Sequence, residues 1–385
     1  MPKFPGPIRS KLPKVETTIF TTMSQMALQE GAINLSQGFP DFSCSPQLTE
    51  LVYMYMNAGY NQYSHMAGFI GLRQAISDKV HKLYGLRYDP ESEITVTAGG
   101  TQAIYTAIAS VIGEGDEVII FTPAYDCFEP AIELSGGKPI FVQLTTPDYG
   151  IDWESVKKVI NQKTKMIIVN SPHNPSGTVL REEDFDQLEK IVGNSDILVL
   201  SDEVYEHIVF DGVVHQSVAR FPKLAERCFI ISSFGKTYHT TGWKVGYCLA
   251  PSNLMKEFRK AHQYIVFAVN TPIQHALSEY LLNEQAYLEL GAFYQAKRDL
   301  FLNLIQNSRF SAIPSKGTYF QLLKYEGITD KADVDYAVEL TKKHKIASIP
   351  VSVFYHKKVD EKVLRFCFAK DDATLKAAAE ILNSI

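Results

Sequence analysis

Lys236 is the residue of this sequence whose type and position most directly suggest covalent chemistry. It follows a strand-like apolar run, Phe229–Ser232, and is flanked by Ser233 and Gly235. At the end of a buried strand, desolvation lowers the pKa of a lysine amine, and the neutral amine is a nucleophile. A lone loop lysine is more often an ordinary surface residue, so the residues expected around Lys236 decide between these interpretations.

Asp202 places a second ionisable group at the end of a strand-like run. It comes directly after Ile197–Ser201. A carboxylate in that position needs a partner, because an unpaired buried charge is costly. One candidate partner is a protonated pyridine nitrogen of a ligand, and a structural arginine or a helix cap is the alternative.

Five strand-like runs are followed by polar residues that could bind or react. Ligands collect at the carboxyl ends of strands in open α/β sheets, so these residues are expected to form one site. Asn174 and Tyr205 could donate to a phenolate oxygen, and Tyr125 could stack on a ring. The five segments are Gly99–Gln102, Thr122–Asp126, Ser171–Pro175, Ser201–Tyr205 and Ser232–Thr237.

The turn Gly100–Gln102 is the expected anion site. It opens a helical pattern, and the free N–H groups at a helix N-terminus favour a phosphate. A glycine pair before a helix also suits any tight turn between a strand and a helix, so this signal is weak alone.

The elements that must position these residues belong to an α/β fold. The strand-like runs are continuously apolar, which predicts a mostly parallel sheet covered on both faces. After about residue 253, long helical patterns are followed by short strands and a last helix, which predicts a smaller α+β domain. Residues 1–40 show little periodicity and are expected to form an arm and part of the small domain. The large domain is expected over 41–280 and the small domain over 281–385.

Composition excludes several classes of protein. The chain has 385 residues, 45% hydrophobic and 21% charged, with a net charge of -5. This balance is typical of a globular protein of two or three domains, and it carries no basic excess for nucleic acid. No apolar stretch approaches the roughly 18–20 residues of a membrane span. Five cysteines without a CxxC pair, and a start without an apolar signal region, predict a cytoplasmic protein with reduced thiols.

Three motifs and their order resemble one enzyme family. Ser-Phe-Gly-Lys-Thr at 233–237, Ser-Asp-Glu-Val-Tyr at 201–205 and Pro-His-Asn-Pro-Ser-Gly at 172–177 are similar to motifs of the class I/II aminotransferases. These are fold-type I enzymes that depend on pyridoxal phosphate, with a mostly parallel seven-stranded sheet in the large domain. The resemblance covers nearly the whole chain and is strongest toward bacterial methionine aminotransferases and kynurenine/glutamine transaminases.

The resemblance implies a role for each matching residue around pyridoxal phosphate. Lys236 would bind the cofactor covalently and move the substrate proton, and Asp202 would keep the pyridine nitrogen protonated. Tyr205 would assist catalysis by holding the phenolate oxygen together with Asn174. Tyr125 would stack on the ring. The phosphate would be held by Gly100, Thr101, Gln102, Ser233 and Lys244, and by Tyr63 from a second subunit.

The resemblance also implies a homodimer and a substrate clamp. Tyr63 would reach the phosphate of the partner copy, so each site would need both subunits. Arg365 would bind the substrate α-carboxylate bidentately, a geometry that lysine cannot reproduce. The backbone at Gly38, with Asn174 and Tyr125, would complete the substrate site. Amino acids and 2-oxo acids are the implied substrates, with neither nucleic acid nor membrane as a partner.

Two departures from the family pattern bear on specificity. Ala268 stands where kynurenine-type enzymes commonly carry histidine, which disfavours kynurenine as the preferred substrate, and Lys244 stands where many relatives carry arginine. No arginine lies near 266–268 to bind a second carboxylate, which disfavours an aspartate specialist. The aromatic residues expected to line the pocket are Phe39, Tyr60 and Tyr63.

The sequence therefore predicts a ping-pong aminotransferase whose donor has a neutral side chain of methionine, glutamine or aromatic type. The alternative with the same cofactor is a β-lyase acting on cysteine S-conjugates. A non-catalytic binding module is disfavoured because Lys236 is present. No metal site is expected, since His207, His239 and His262 lack the spacing of metal ligands.

Overall fold

A twisted seven-stranded sheet forms the centre of the protein, which we describe over residues 4–385 of a computed structural model. Its spatial order is β2-β8-β7-β6-β5-β3-β4, and β8 is the one strand that runs against the others. The prediction of a mostly parallel seven-stranded sheet is confirmed. The strands are β2 (Ile94–Thr97), β3 (Glu117–Thr122), β4 (Lys138–Gln143), β5 (Thr164–Asn170), β6 (Leu198–Asp202), β7 (Cys228–Ser233) and β8 (Gly246–Leu249).

Both faces of this sheet are buried, which explains why its strands are continuously apolar. Successive side chains of a strand point to opposite faces. In β6, Val199 therefore packs in the hydrophobic core on one face and Leu200 in the core on the other. Ile167 and Ile168 of β5 divide in the same way.

Helices cover the two faces and continue into the C-terminal part of the chain. The helix Glu182–Val192 is amphipathic, with Phe185, Leu188 and Val192 on its buried side. The helices are α1 (Ile19–Glu30), α2 (Pro46–Asn57), α3 (Ile70–Tyr84), α4 (Gly100–Val111), α5 (Phe128–Leu134), α6 (Trp153–Val159), α7 (Glu182–Val192), α8 (Pro222–Ala225), α9 (Phe234–Thr237), α10 (Ser252–Ile265), α11 (Thr271–Tyr280), α12 (Gln285–Leu288), α13 (Leu290–Leu304), α14 (Asp333–Lys343) and α15 (Asp372–Asn383).

The C-terminal part contains a second, antiparallel sheet with its own hydrophobic core. The three-stranded sheet has the order β11-β12-β9, and a separate parallel pair joins β1 to β10. The domain limits at residues 40 and 280 stay a prediction. These strands are β1 (Ile33–Asn34), β9 (Phe320–Lys324), β10 (Ile346–Ala347), β11 (Ile349–Pro350) and β12 (Val363–Cys367).

Residues 1–40, for which the sequence predicts an arm and part of the small domain, contain helix α1, which their weak periodicity does not indicate. Thr18 caps this helix by accepting a hydrogen bond from the Thr21 backbone N–H. Met23 and Ala27, four residues apart, form its buried side. The helix is rich in threonine, serine and glutamine, so packing against α14 rather than an apolar stripe stabilises it.

The five polar segments meet at one edge of the large sheet. Strands β2, β3, β5, β6 and β7 run in the same direction, so their carboxyl ends lie together. Among residues 4–385, every helix is too short or too polar to cross a lipid bilayer.

Candidate active site

A cavity of about 300 Å³ lies at the carboxyl ends of the parallel strands. Eleven of the thirteen residues that the sequence predicts for the site line this cavity. Residues from β12 of the second sheet and from the N-terminal segment close its other side. The eleven are Gly38, Gly100, Thr101, Tyr125, Asn174, Asp202, Tyr205, Ser233, Lys236, Lys244 and Arg365.

Lys236 lies on the short helix α9, directly after β7, and its amine is held at two points. Nζ donates to the Tyr319 hydroxyl at 2.7 Å and to the Gly38 carbonyl at 3.3 Å. Burial lowers the pKa of this lysine to about 8. A sizeable fraction of the amine is therefore neutral near physiological pH and able to act as a nucleophile or base.

Asp202 ends β6 with a buried carboxylate that lacks a cationic partner. Oδ1 accepts a hydrogen bond from the Val204 backbone N–H at 3.3 Å. Across residues 4–385, no lysine, arginine or histidine forms a salt bridge with it. Burial raises the pKa of Asp202 to about 7, and the Val204 N–H and the charge of Lys236 offset this only in part. The carboxylate is therefore set to receive a positively charged group.

The N-terminus of α4 and Lys244 form an anion cradle. Gly99 caps the helix with a φ of 81°, a conformation that favours glycine, and a Cβ there would lie 3.3 Å from Lys244 Nζ. The first-turn N–H groups of Gly100, Thr101 and Gln102 have no intrahelical partner, as at any helix start. Ser233 adds a hydroxyl to the same side of the cavity.

Gln102 contributes to this cradle through its backbone alone. Its side chain accepts from the Ala98 backbone N–H at 2.8 Å and donates to the Thr106 hydroxyl at 2.5 Å. It therefore braces the first turn of α4 and does not line the cavity.

Tyr125, Asn174 and Tyr205 surround the centre of the cavity. The Tyr125 hydroxyl lies 3.1 Å from Thr101 Oγ1, which fixes the ring beside the start of α4. Burial raises the pKa of both tyrosines, with opposing contributions from Thr101 at Tyr125 and from Tyr319 at Tyr205. Both hydroxyls therefore stay protonated and can donate.

Arg365, on β12, is a buried cation with one N–H donor left without a partner among the described residues. Nη1 donates to Asn174 Oδ1 at 2.7 Å and Nη2 to the Ser36 carbonyl at 3.2 Å. The guanidinium carbon lies 3.8 Å from the centre of the Phe320 ring. Within the described chain, its buried Nε has no hydrogen-bond partner. Burial lowers the pKa of Arg365 to about 10, so it remains charged and can bind an anion.

Tyr63 does not reach the cavity of its own chain. Its side chain is 81% exposed and contacts Phe267 edge to face at 4.9 Å, beside a separate surface hollow. Tyr60 borders the same hollow, and Phe39 is likewise absent from the cavity lining. The aromatic residues that do line it are Phe20, Tyr125, Tyr205 and Phe320.

Sequence reasoning missed Tyr319 and Asn170. Asn170 ends β5, where its side chain donates to the Asp202 carbonyl at 2.9 Å and accepts from the Asn174 backbone N–H at 2.9 Å. It lies just before the segment Ser171–Pro175 and could have been included with it. Tyr319 precedes β9 in the other domain, so only the fold brings it to Lys236.

No group of three or more histidine, cysteine, aspartate or glutamate side chains within residues 4–385 is arranged to hold a metal ion.

Comparisons with known proteins agree with this geometry. Residues 30–382 match the family model "Aminotransferase class I and II". The chain is 48% identical over 378 residues to the methionine aminotransferase of Escherichia coli, covering 98% of each. It is 33% identical to human kynurenine–oxoglutarate transaminase 3, covering 96% of this chain and 88% of that protein. A solved structure of YbdL from E. coli, described as a methionine aminotransferase, superposes with a TM-score of 0.97 at 47% identity, covering 99% of this chain and 100% of that one.

The chain therefore belongs to the class I and II aminotransferases. It is a pyridoxal-phosphate-dependent aminotransferase with the fold of that family. The cavity offers a partner for each polar part of this cofactor. The anion cradle suits its phosphate, the unpaired Asp202 suits its pyridine nitrogen, and the Lys236 amine suits its aldehyde.

Proposed function

We propose that Lys236, Asp202 and Tyr205 carry the transamination of a neutral amino acid of the methionine type. The observation that supports this most is the pairing of a nucleophilic lysine with an unpartnered buried carboxylate in one cavity. When bound, pyridoxal phosphate withdraws electrons from the bonds at the substrate α-carbon. The chain must orient the substrate and move one proton.

Asp202 holds the cofactor through its ring nitrogen in this proposal. Its carboxylate has no salt-bridge partner among the described residues, so a protonated ring nitrogen would gain an ion pair there. Tyr205 and Asn174 would donate to the phenolate oxygen, and Tyr125 would pack on the ring face. Gly100, Thr101 and Gln102 bind the phosphate with backbone N–H groups, assisted by Ser233 and Lys244.

Lys236 moves the proton. With its pKa lowered to about 8, the Nζ lone pair is available to take the proton from the substrate α-carbon and to return it later. Gly38 and Tyr319 accept hydrogen bonds from this amine and so orient it from the side opposite its lone pair.

Arg365 positions the substrate by its α-carboxylate. Arg365 and Asn174 both line the cavity, and a bidentate pair between the guanidinium and the carboxylate would fix the direction of the α-hydrogen. The Gly38 backbone lies beside the same position.

The rest of the lining favours a neutral substrate side chain. Within the described residues, Arg365 is the one arginine that lines the cavity, so a second carboxylate would find no guanidinium. The apolar residues around it are Phe20, Ile104, Val204, Val245 and Phe320. The similarity to methionine aminotransferase supports methionine as the donor to test first.

The test is an absorption titration of purified protein loaded with pyridoxal phosphate. Methionine is expected to bleach the visible band of the bound cofactor, and a 2-oxo acid to restore it. Lys236→Ala should abolish the response, while Lys256→Ala, at an exposed position on α10, should not change it. Pyruvate and ammonia formed from a cysteine S-conjugate without a 2-oxo acid would instead assign the β-lyase reaction.

We also propose that the enzyme is a homodimer with Tyr63 reaching the partner's phosphate site. Tyr63 contacts Phe267, which is itself 43% exposed, and Met56 at 50% and Tyr264 at 91% are further exposed side chains of this chain. A second copy is the occupant that would bury them and use the Tyr63 hydroxyl. Sedimentation should give twice the chain mass, and Tyr63→Phe should weaken cofactor binding without changing that mass.

A cytoplasmic location is the remaining part of the proposal. All five cysteines are free, which suits a reducing compartment. Fractionation of the source cells would test it, and recovery outside the cytoplasm would contradict it.

A further inference from the structure

Tyr319 is buried at the start of β9 and contacts the reacting amine. Its hydroxyl accepts a hydrogen bond from Lys236 Nζ at 2.7 Å and donates one to the Gly38 carbonyl. Lys236 Nζ donates to that same carbonyl at 3.3 Å, so the three groups close a small ring of hydrogen bonds. No residue of the five strand-end segments makes an equivalent contact with Nζ.

The ring of hydrogen bonds sets the orientation of the amine. A neutral lysine amine has two N–H donors and one lone pair. With one donor on Tyr319 and the other on Gly38, the lone pair is the part of the nitrogen left for the substrate. After it has taken the proton, the new N–H occupies the same direction and can give the proton back.

The other contacts of Tyr319 keep its hydroxyl in place. The ring packs edge to face on Tyr205 at 5.1 Å, and the Phe368 backbone N–H donates to its carbonyl at 3.0 Å. Gly38 also fits closely, since a Cβ there would lie 2.6 Å from Phe320 and 3.5 Å from Tyr319. The N-terminal segment and β9 are thereby fixed against each other where they meet Lys236.

We propose that Tyr319 is a positioning residue of the aminotransferase reaction, holding the free Lys236 amine with its lone pair toward the substrate α-carbon. This rests on the assignment of Lys236 as the proton carrier. Tyr319 exchanges no proton with the substrate and acts through the lysine. Without the Tyr319 hydroxyl, Lys236 stays in the site, but the rotation of its amine is no longer fixed.

Tyr319→Phe tests the proposal, and Tyr294→Phe is its matched control. Tyr294 is fully buried in the same aromatic cluster, 5.7 Å from the Tyr319 ring, and its hydroxyl has no partner among the described residues. Both variants remove one buried hydroxyl, but only Tyr319→Phe removes a contact with Lys236. Melting temperatures of both variants show whether each is folded.

The first readout is the single-turnover rate with methionine. Misplacing a base costs on the order of 10–100-fold, so Tyr319→Phe should slow by that factor and Tyr294→Phe by less than about twofold. Deuterium at the methionine α-carbon should slow Tyr319→Phe more than wild type, because proton transfer becomes the limiting step.

The second readout needs no turnover: the pH dependence with which cofactor-free protein captures pyridoxal phosphate. The Tyr319 hydroxyl accepts from the lysine and so favours its charged form. Without it the midpoint should move down by about one pH unit, the scale of one hydrogen bond to a charged group. Capture at lower pH combined with slower proton transfer is a pattern that general loss of structure does not produce.

Single-turnover rates within about twofold of wild type, together with an unchanged capture midpoint, would overturn the proposal. Slower turnover with an unchanged isotope effect and midpoint would also overturn it and leave Tyr319 a packing residue. If wild type converts no methionine, the substrate assignment fails, while the capture midpoint still reports on Tyr319.

Discussion

Asp202 ends β6 and Glu206 lies four residues later; both carboxylates are buried, yet their surroundings differ in kind. Glu206 accepts hydrogen bonds from Lys79 Nζ at 2.8 Å, from the Tyr84 hydroxyl at 2.7 Å and from the Tyr247 hydroxyl at 2.9 Å. Asp202 accepts one, from the Val204 backbone N–H. One carboxylate is fully paired within the chain, and the other awaits a partner.

The pKa values of the two groups move in opposite directions for this reason. Burial alone would raise the pKa of Glu206, but Lys79, His207 and the Tyr84 hydroxyl overcome it and hold the pKa well below its ordinary value. Burial raises the pKa of Asp202 to about 7 because the Val204 N–H and the charge of Lys236, which forms no salt bridge with it, offset burial only in part. Burial by itself therefore marks neither a structural nor a functional carboxylate; the missing partner marks the functional one.

The Lys79 network, defined as Lys79, Tyr84, Glu206 and Tyr247, has a structural consequence for the site. It anchors the segment after β6 to α3 and β8, and none of its four residues lines the cavity. Asp202 and Tyr205 lie on that anchored segment. Glu206, the paired carboxylate, thus stabilises the segment of backbone that carries Asp202, the unpaired one.

Replacing the unpaired carboxylate should give the largest functional effect. Asp202→Asn keeps the shape but cannot hold a positive charge on the cofactor ring, so kcat/KM for methionine should fall by about three orders of magnitude. Steady-state kinetics with saturating pyridoxal phosphate measure this. A loss of kcat/KM below tenfold would show that Asp202 takes no part in catalysis and that it does not differ from Glu206 in function.

Replacing the paired carboxylate should instead act on stability. Glu206→Gln leaves Lys79 buried without its counter-ion and should lower the free energy of unfolding by about 3–5 kcal/mol. Because the pKa of Glu206 is depressed, its contribution is present above the ordinary value and is lost only as pH falls toward the depressed one. Urea unfolding at pH 7 and in acid measures the loss of unfolding free energy and its dependence on pH.

The exposed pair Lys260–Glu257, 2.7 Å apart, is the control for that experiment. Glu257→Gln should cost less than about 0.5 kcal/mol at any pH. Equal losses of unfolding free energy in Glu206→Gln and Glu257→Gln would show that the buried Lys79–Glu206 pair stabilises the protein no more than an exposed pair does.

Arg365 extends the comparison to a cation with an unfilled side. Arg365→Lys keeps the charge but loses the bidentate fork, so KM for methionine should rise by about tenfold to a hundredfold with a smaller change in kcat. Arg181→Lys, at an exposed surface position, should change neither. A fall in kcat at constant KM would contradict carboxylate binding by Arg365.

The sequence predicts the groups at the strand ends better than the partners that distant parts of the chain supply. Lys236 and Asp202 are found because each follows a continuous apolar run, and parallel strands bring such ends together. Tyr319 lies 83 positions from Lys236, and Glu206 lies 127 positions from Lys79, so no local pattern joins either pair. Helix α1 is missed for a related reason: its stability comes from packing against distant elements rather than from its own periodicity.

The most direct test of the account compares the thermal stability of Asp202→Asn and wild type with and without pyridoxal phosphate. Since the pKa of Asp202 is raised, ionising it opposes folding as pH rises from its ordinary value through about 7. Without cofactor at pH 8, the variant should therefore be more stable than wild type, on the order of 2 kcal/mol. With cofactor bound the order should reverse, because only wild type gains the ion pair. A variant less stable than wild type in both states would contradict the claim that Asp202 awaits a cationic partner.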